Sequence, residues 1–474
     1  MLNLNEKQEK ARKNLLNYIN GTADKFLLLG MAGSGKTTVI VNTFNTTKLH
    51  IAFCAFTNKA TQVLSKISQK FDLKFLAEFM TIHQLLALEL KYGSSETDID
   101  FKFKIEKAVS NMHSFDVIIF DECSTISTEL YGYLIKTQEF ILEKMGKTIK
   151  YIFVGDYWQL PPVNEKSAVA FDSATKYKWP ISKLEVIMRS NNTTIRDINL
   201  NMLSWIPRFK AKDAYDFVDD YPYNLVERGS GSYLHISDMM YQYIDTWHNK
   251  TPDCVILTCS RKNCIKINLD IQNILNTRRN ISDVYKYPTY SAGDRITLIR
   301  PIMLYGMKEE DGITTLTSQL QITLYNGEIF DVVSSEQIKV KTELNKYEFN
   351  KPHFDAHKLK IKRINTDTTY EIIYIPDVYV DEARDLLKRN LYWREFLDVM
   401  SEFIKRFPKL DYGYCLTVYK SQGSEWDTVF VNLNNLKWCI VGGETDVSLS
   451  KKIQLFKITY TAVSRASNEI YCSW

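Results

Sequence analysis

The chain has 474 residues, 45% of them hydrophobic and 24% charged, with a formal net charge of +4. That length exceeds one compact core and implies two to four domains, and the composition is that of a globular protein rather than a disordered or fibrous one. The charge is too small to argue a polyanionic partner, no apolar run is long enough to span a membrane, and the polar start MLNLNEKQEKARKN has no apolar core for a secretory signal, so an intracellular chain with reduced cysteines is expected.

Four runs in the first third are apolar along their whole length: FLLLG (Phe26–Gly30), HIAFCAF (His50–Phe56), FDVIIFDE (Phe115–Glu122) and YIFVGD (Tyr151–Asp156). Unbroken apolar runs mark strands buried on both faces, and with helical segments between them they predict a parallel sheet covered by helices. A second such set follows, with CVILTCS (Cys254–Ser260) before the helix-like RKNCIKINLDIQNIL, then YCLTV, TVFVNL and EIYCSW near the end. Between its parts, over 291–405, the texture changes to DRITLIRPIM, LQITLYNGEIFDVV, IKVKTEL and TTYEIIYI, with an Asn326-Gly327 turn. These alternating runs predict a small antiparallel barrel, followed by one or two helices in VDEARDLLKRNLYWREFLDVMSEFIKRF. Cys254, Cys259 and Cys264 lack the short spacing of a metal site, and His353 and His357 in HFDAH read as solvated side chains.

GMAGSGKTT fits the pattern G-x-x-x-x-G-K-[ST] from Gly30 to Thr37, after one predicted strand and opening a helix. In that context backbone N–H groups of Gly30, Gly33, Ser34, Gly35 and Thr38 turn toward phosphate oxygens, Lys36 reaches the β- and γ-phosphates and Thr37 ligates Mg²⁺. IIFDE places Asp121 and Glu122 at a buried strand end. Asp121 would hold Mg²⁺ and Glu122 would polarise an attacking water, so the expected chemistry is hydrolysis of a nucleoside triphosphate. VGDYWQLPPV adds Gln159, placed to sense the γ-phosphate or orient water, and Trp158, a side chain that suits either packing or base stacking.

In order along the chain, LNEKQEKA, GMAGSGKTT, AFTNKATQVL, TIHQLL, DECS, GDYWQLPPV, LEVIMRSN, TVYKSQGSEWD and YTAVSRAS resemble the motifs of superfamily 1 helicases, closest to the 5′→3′ branch containing the RecD and phage Dda helicases. The resemblance implies Gln8 as adenine reader and Arg189 and Arg465 as arginines that reach the γ-phosphate from a second lobe. It further implies Thr57, Asn58, Lys59, Thr81, His83, Thr417, Lys420, Ser421 and Gln422 as contacts to single-stranded DNA, with Gly423 and Glu425 bordering the nucleotide. Hydroxyl, amide and ammonium donors suit phosphate oxygens and carry no base code, so the grip would tolerate any sequence. Tyr419 departs from the His common in the family's T-x-H-K-S-Q-G stretch and cannot carry a positive charge.

The implied fold is α/β: two RecA-like P-loop lobes with parallel sheets, a pin-type β-hairpin in the first and an SH3-like β-barrel inserted in the second. The expected bounds are 1–86 and 112–175 for lobe 1, 87–111 for the pin, 176–290 and 406–474 for lobe 2, and 291–405 for the barrel with its helices. Phe101 and Phe103, beside the turn cluster GSSETD, would stack on the separating base pair, and KLKIKR (Lys358–Arg363) reads as a basic edge or a solvated strand face. The function so implied is an ATP-dependent DNA helicase using ATP and Mg²⁺, acting on single-stranded DNA and DNA forks as a monomer, with a single-strand-binding protein or replication proteins as partners and no membrane. Its economy fits a viral or phage origin in the replication, repair or recombination of DNA, with host cytoplasm or nucleus left open. An RNA-acting helicase of the same superfamily and a nucleotide-gated strand clamp remain the alternatives.

Overall fold

The computed structural model describes residues 4–45, 47–55, 77–92, 99–185, 193–210, 233–279, 290–324, 327–342, 353–444 and 446–473. The chain packs as two compact units, Met1–Met239 with Ser421–Trp474, and Met240–Lys420. Packing therefore groups 421–474 with the N-terminal residues, whereas the sequence reading grouped them with 176–290.

In the first unit, six parallel strands form one sheet. They are β1 (Lys25–Gly30), β2 (Ile51–Ala55), β3 (Ala77–Thr81), β6 (Val117–Phe120), β7 (Lys150–Gly155) and β8 (Ile181–Leu184), ordered β3-β2-β6-β7-β1-β8. The four central strands are those the apolar runs predict. Each central strand carries apolar side chains to both faces, one face against Leu85, Met112, Leu134 and Phe171, the other against Leu15, Val39 and Phe44. The two edge strands were not read from sequence, because AEFMT and ISKL each leave one face partly exposed and lack a continuous apolar run. The order places β7 between β1 and β6. Whatever leaves the carboxyl end of β7 therefore falls between the phosphate loop and the acidic pair, at the end of a parallel sheet where α/β proteins bind ligands.

A short antiparallel hairpin, β4 (Glu89–Tyr92) with β5 (Ile99–Lys102), leaves the sheet after β3 and pairs Leu90 with Phe101. It stands where a pin was expected. Its turn, 93–98, lies outside the described residues. Phe103 is not presented outward. Its ring stacks on Tyr133 at 4.2 Å and packs against the core. The same unit contains a second parallel set, in which Trp426–Asn432 pairs with Ala466–Ser473, which in turn pairs with Tyr233–Leu234.

In the second unit, Cys254–Thr258 pairs in parallel with Cys415–Thr417, and the helix Arg261–Arg278 packs on them. Asn268 ties helix to strand, donating to Tyr412 O at 2.8 Å and accepting from Cys415 N at 2.8 Å. The β-rich insertion is mainly antiparallel, as expected. Two of its expected runs fuse into one 13-residue strand, Ile329–Lys341, and KLKIKR falls in a further strand, Phe354–Arg363. Lys358 pairs with Glu371 and Lys362 with Asp367, so this strand face is neutralised rather than a basic edge. Two helices follow, Asp377–Asn390 and Trp393–Arg406. Among the described residues no helix is long and apolar enough to cross a membrane.

Arg295 anchors the insertion to the lobe it interrupts. Its guanidinium is fully buried, grips Asp331 through Nε at 2.8 Å, and donates to the carbonyls of Pro252 at 2.7 Å and Cys254 at 3.0 Å over the Trp247 ring. A buried cation is tolerated only when each donor finds an acceptor, and removing it strands the partners. Arg295→Met is therefore expected to destabilise this unit by about 3–5 kcal/mol in urea unfolding. A loss no larger than that of an exposed ion pair, under about 1 kcal/mol, would show that the cluster is dispensable.

Candidate nucleotide site

The loop after β1 has the geometry of a phosphate cradle. Gly33 and Gly35 have φ of 76° and 81°, and helix α2 (Lys36–Phe44) starts directly behind them. At Gly35 the need for glycine is double, since the left-handed backbone is joined by Gln8 Nε2, which any Cβ would strike. Ser34 Oγ is buried without a hydrogen-bond partner, as suits a group that waits for an oxygen ligand. Lys36 is nearly buried and folds back on its own loop, donating to Gly30 O at 2.8 Å and Met31 O at 3.1 Å. An incoming β- or γ-phosphate would exchange two neutral acceptors for charged ones, which strengthens the bond.

Gln8 sits on helix α1 (Glu6–Asn20) and is locked in a capping box with Asn5. Its Oε1 accepts from Asn5 N at 3.1 Å, and its Nε2 donates to Ser34 O at 3.2 Å. The side chain expected to read adenine is thus fastened to the phosphate loop. Thr37 and Asp121 line one small cavity with Ile40, Phe53, Ile119 and Val154. The cavity surface itself is apolar; it is the donor chemistry, a hydroxyl in the first turn of α2 and a carboxylate just past β6, that would suit Mg²⁺. Desolvation at the strand end, reinforced by the charge of Glu122, pushes the Asp121 carboxyl up to about 6 against the pull of Lys36. Glu122 has a φ of 51°, a left-handed conformation that costs energy for a side chain of this kind and turns it away from the line of β6.

The segment leaving β7 connects everything at this site. Asp156, 2% exposed, accepts at Oδ2 from Ala32 N of the phosphate loop at 3.0 Å and from the Tyr460 hydroxyl at 2.7 Å. Its Oδ1 accepts from Trp158 N at 3.0 Å, and burial raises its pKa above the usual carboxylate value. Trp158 packs edge-on against Phe456 at 5.4 Å and near Phe209 at 6.4 Å, so packing claims at least part of its ring. Gln159 is 1% exposed. With its amide turned to satisfy both neighbours, its nitrogen donates to Glu122 Oε2 at 3.1 Å and its oxygen accepts from Arg465 Nη2 at 3.1 Å. Arg465 is held in turn by Thr461 O, Ser424 O and Ser464 Oγ, each at 3.1 Å. The Glu122 carboxylate and the Arg465 guanidinium are thus joined through one glutamine.

The residues expected to grip a strand divide. Thr57, Asn58 and Lys59 lie outside the described residues, as does Arg189. Thr81 is buried and caps the helix Ile82–Leu85, accepting from Gln84 N at 3.1 Å. His83 follows on that helix, and burial lowers its basicity. Ser421 and Gln422 are buried, and Gln422 Nε2 donates to Leu160 O at 2.9 Å. Lys420 is exposed and Thr417 half-buried. Gly423, with φ of 71°, and the half-buried Glu425 continue the loop into Trp426. Sequence reasoning missed Asp156, Leu160, Tyr460 and Thr461. All four sit inside stretches already singled out, and an acidic residue ending a buried strand was the available signal for Asp156.

A family model described as "AAA domain" matches residues 18–165. The chain is 25% identical over 519 aligned positions to "Uncharacterized protein R530" of Acanthamoeba polyphaga mimivirus, covering 98% of this chain and 99% of that protein. It is 32% identical over 161 residues to "RecBCD enzyme subunit RecD" of Buchnera aphidicola subsp. Schizaphis graminum, covering 30% of this chain and 24% of that subunit. Among solved structures it is similar to the Pif1 helicase from Bacteroides in complex with ADP-AlF3 and ssDNA, with 15% identity and a TM-score of 0.48 over 99% of this chain and 92% of that one. Sheet order and the glycine-rich loop that opens α2 define the fold class, an α/β fold of the P-loop type. Over about a third of its length the chain is thus similar to the AAA domain family and to RecD subunits.

Two substitutions test the site directly. Glu122→Gln should lower ATP turnover by about 10²–10⁴, and Arg465→Ala by about 10³–10⁵. Both should retain nucleotide binding, as read by steady-state hydrolysis and by titration with a fluorescent nucleotide.

Proposed function

We propose that this protein is an ATP-dependent DNA helicase that moves 5′→3′ along single-stranded DNA and opens forked duplexes. The observation that carries the reading is the unbroken connection Glu122–Gln159–Arg465 beside the phosphate loop. A kinase would deliver the γ-phosphate to a substrate hydroxyl. Here a carboxylate, an orienting amide and an arginine converge where a water would attack, which is the arrangement for hydrolysis.

In this mechanism Lys36 binds the phosphates, Glu122 takes up the proton of the attacking water, Gln159 orients that water, and Arg465 stabilises charge on the transferred group, with Arg189 as the second arginine. Thr37 and Asp121 would hold Mg²⁺, which when bound neutralises charge on the phosphate oxygens. Gln8 would read adenine after release from Ser34, and Gly423 and Glu425 would border the nucleotide. Thr57, Asn58, Lys59, His83, Thr417 and Lys420 would hold the strand backbone, without base preference. The hairpin β4–β5 would serve as the pin, with Phe101 as its wedge. The four-part domain division, including an SH3-like barrel within 291–405, belongs to the same proposal.

The test is strand separation on fluorescent 5′-tailed DNA, 3′-tailed DNA and 5′-tailed RNA duplexes, with Lys36→Ala as the control. Unwinding of 5′-tailed DNA alone, dependent on ATP and lost in the control, is the expected result. Preference for the 3′ tail would reverse the polarity, preference for RNA would change the substrate, and hydrolysis without separation would favour a nucleotide-gated clamp.

A further inference from the structure

Leu160 has its peptide held from both sides. Its N–H donates to Thr461 Oγ1 at 3.2 Å, and its carbonyl accepts from Gln422 Nε2 at 2.9 Å. Leu160, Thr461 and Gln422 are all buried, at 1%, 0% and 8% exposure. Leu160 directly follows Gln159, whose amide lies between Glu122 and Arg465. It directly precedes Pro161 and Pro162. A proline pair has fixed φ, which leaves the chain after Leu160 fewer torsions with which to absorb a displacement. On the other side, Gln422 is two residues from the exposed Lys420. Gln422 therefore has one end in the loop proposed to meet the strand and the other on the backbone of the catalytic glutamine's neighbour.

A strand contact would need this amide at the surface. It is instead spent on a buried carbonyl, and pulling it out would leave that carbonyl without its partner, which is costly. We propose that Gln422 is a positioning residue and not a strand contact: its hydrogen bond to Leu160 ties the strand-facing loop to Gln159, and through that tie strand binding accelerates ATP hydrolysis. This inference rests on the helicase reading above and deepens it by naming how the two ligands are coupled.

Gln422→Met tests it, because methionine keeps the length and volume of the side chain and removes the donor. The full-length protein is titrated with fluorescein-labelled oligo-dT to measure strand affinity. ATP turnover is measured without strand and at saturating strand. Strand affinity within about twofold of the parent is expected, with the ratio of strand-saturated to strand-free turnover falling about tenfold, the scale of one buried hydrogen bond. Thr461→Val frees the other side of the Leu160 peptide and should lower the same ratio. Three results would overturn the assignment: strand affinity lost with the ratio intact, which makes Gln422 a direct contact; strand-free and strand-saturated turnover reduced by one common factor, which makes its role merely structural; or no change in either variant. A parent protein whose turnover does not respond to oligo-dT would instead overturn the helicase reading, and this inference with it.

Discussion

The site depends on five residues that leave one strand. Asp156 to Leu160 exit β7 and are hydrogen-bonded in turn to the phosphate loop, to the acidic pair, to the helix that carries Arg465 and to the loop that carries Gln422. The sheet order makes this possible, since β7 runs between the strand that feeds the phosphate loop and the strand that ends in Asp121 and Glu122. The bonds of Asp156 to Tyr460 and of Leu160 to Thr461 and Gln422 are buried, and that of Asp156 to Ala32 is partly so. Partly satisfied polar networks in a low dielectric are unstable, so the segment is held in one arrangement at a time. A network of this kind passes a change at one end to the other because it has no soft member between the two.

The phosphate loop is meanwhile closed on itself. Lys36 is on two loop carbonyls, Ala32 N is on Asp156 and the Tyr460 hydroxyl, and Ser34 O is on Gln8. A phosphate oxygen could compete only for the donors Lys36 Nζ and Ala32 N, since Ser34 O is itself an acceptor. Ala32 N is bonded to Asp156 and to Tyr460, which lies in the last turn of the helix Leu449–Val463, just before Arg465.

Several side chains of the type that binds phosphate backbones serve the protein's own backbone instead. Thr81 caps a helix, Gln422 holds Leu160, and Phe103 stacks inside the core on Tyr133. Hydroxyls, amides and aromatic rings suit both purposes equally. Residue type and motif position do not separate a grip from a brace. Burial and the partner do.

Arg465 entered only through the resemblance of its motif to a family, whereas the central strands, the glycine-rich loop and the acidic pair were legible in the chain alone. Each is local: a run buried on both faces must be apolar throughout, and a loop that approaches phosphate needs glycine, a lysine and a helix start within eight residues. The edge strands β3 and β8 escaped that reading, since one solvated face breaks the pattern. The two-strand fusion into Ile329–Lys341 escaped it as well, because a register shift within the strand at Val332 and Ser334 looks like a turn in one dimension. Only the tertiary structure decided that Asp156 meets Tyr460 over 304 positions of sequence, that Gln422 reaches Leu160 over 262, and that Glu122 and Arg465 share one amide. Those pairings depend on which strands lie side by side, and the sheet order is set by packing among distant segments, which no local pattern encodes.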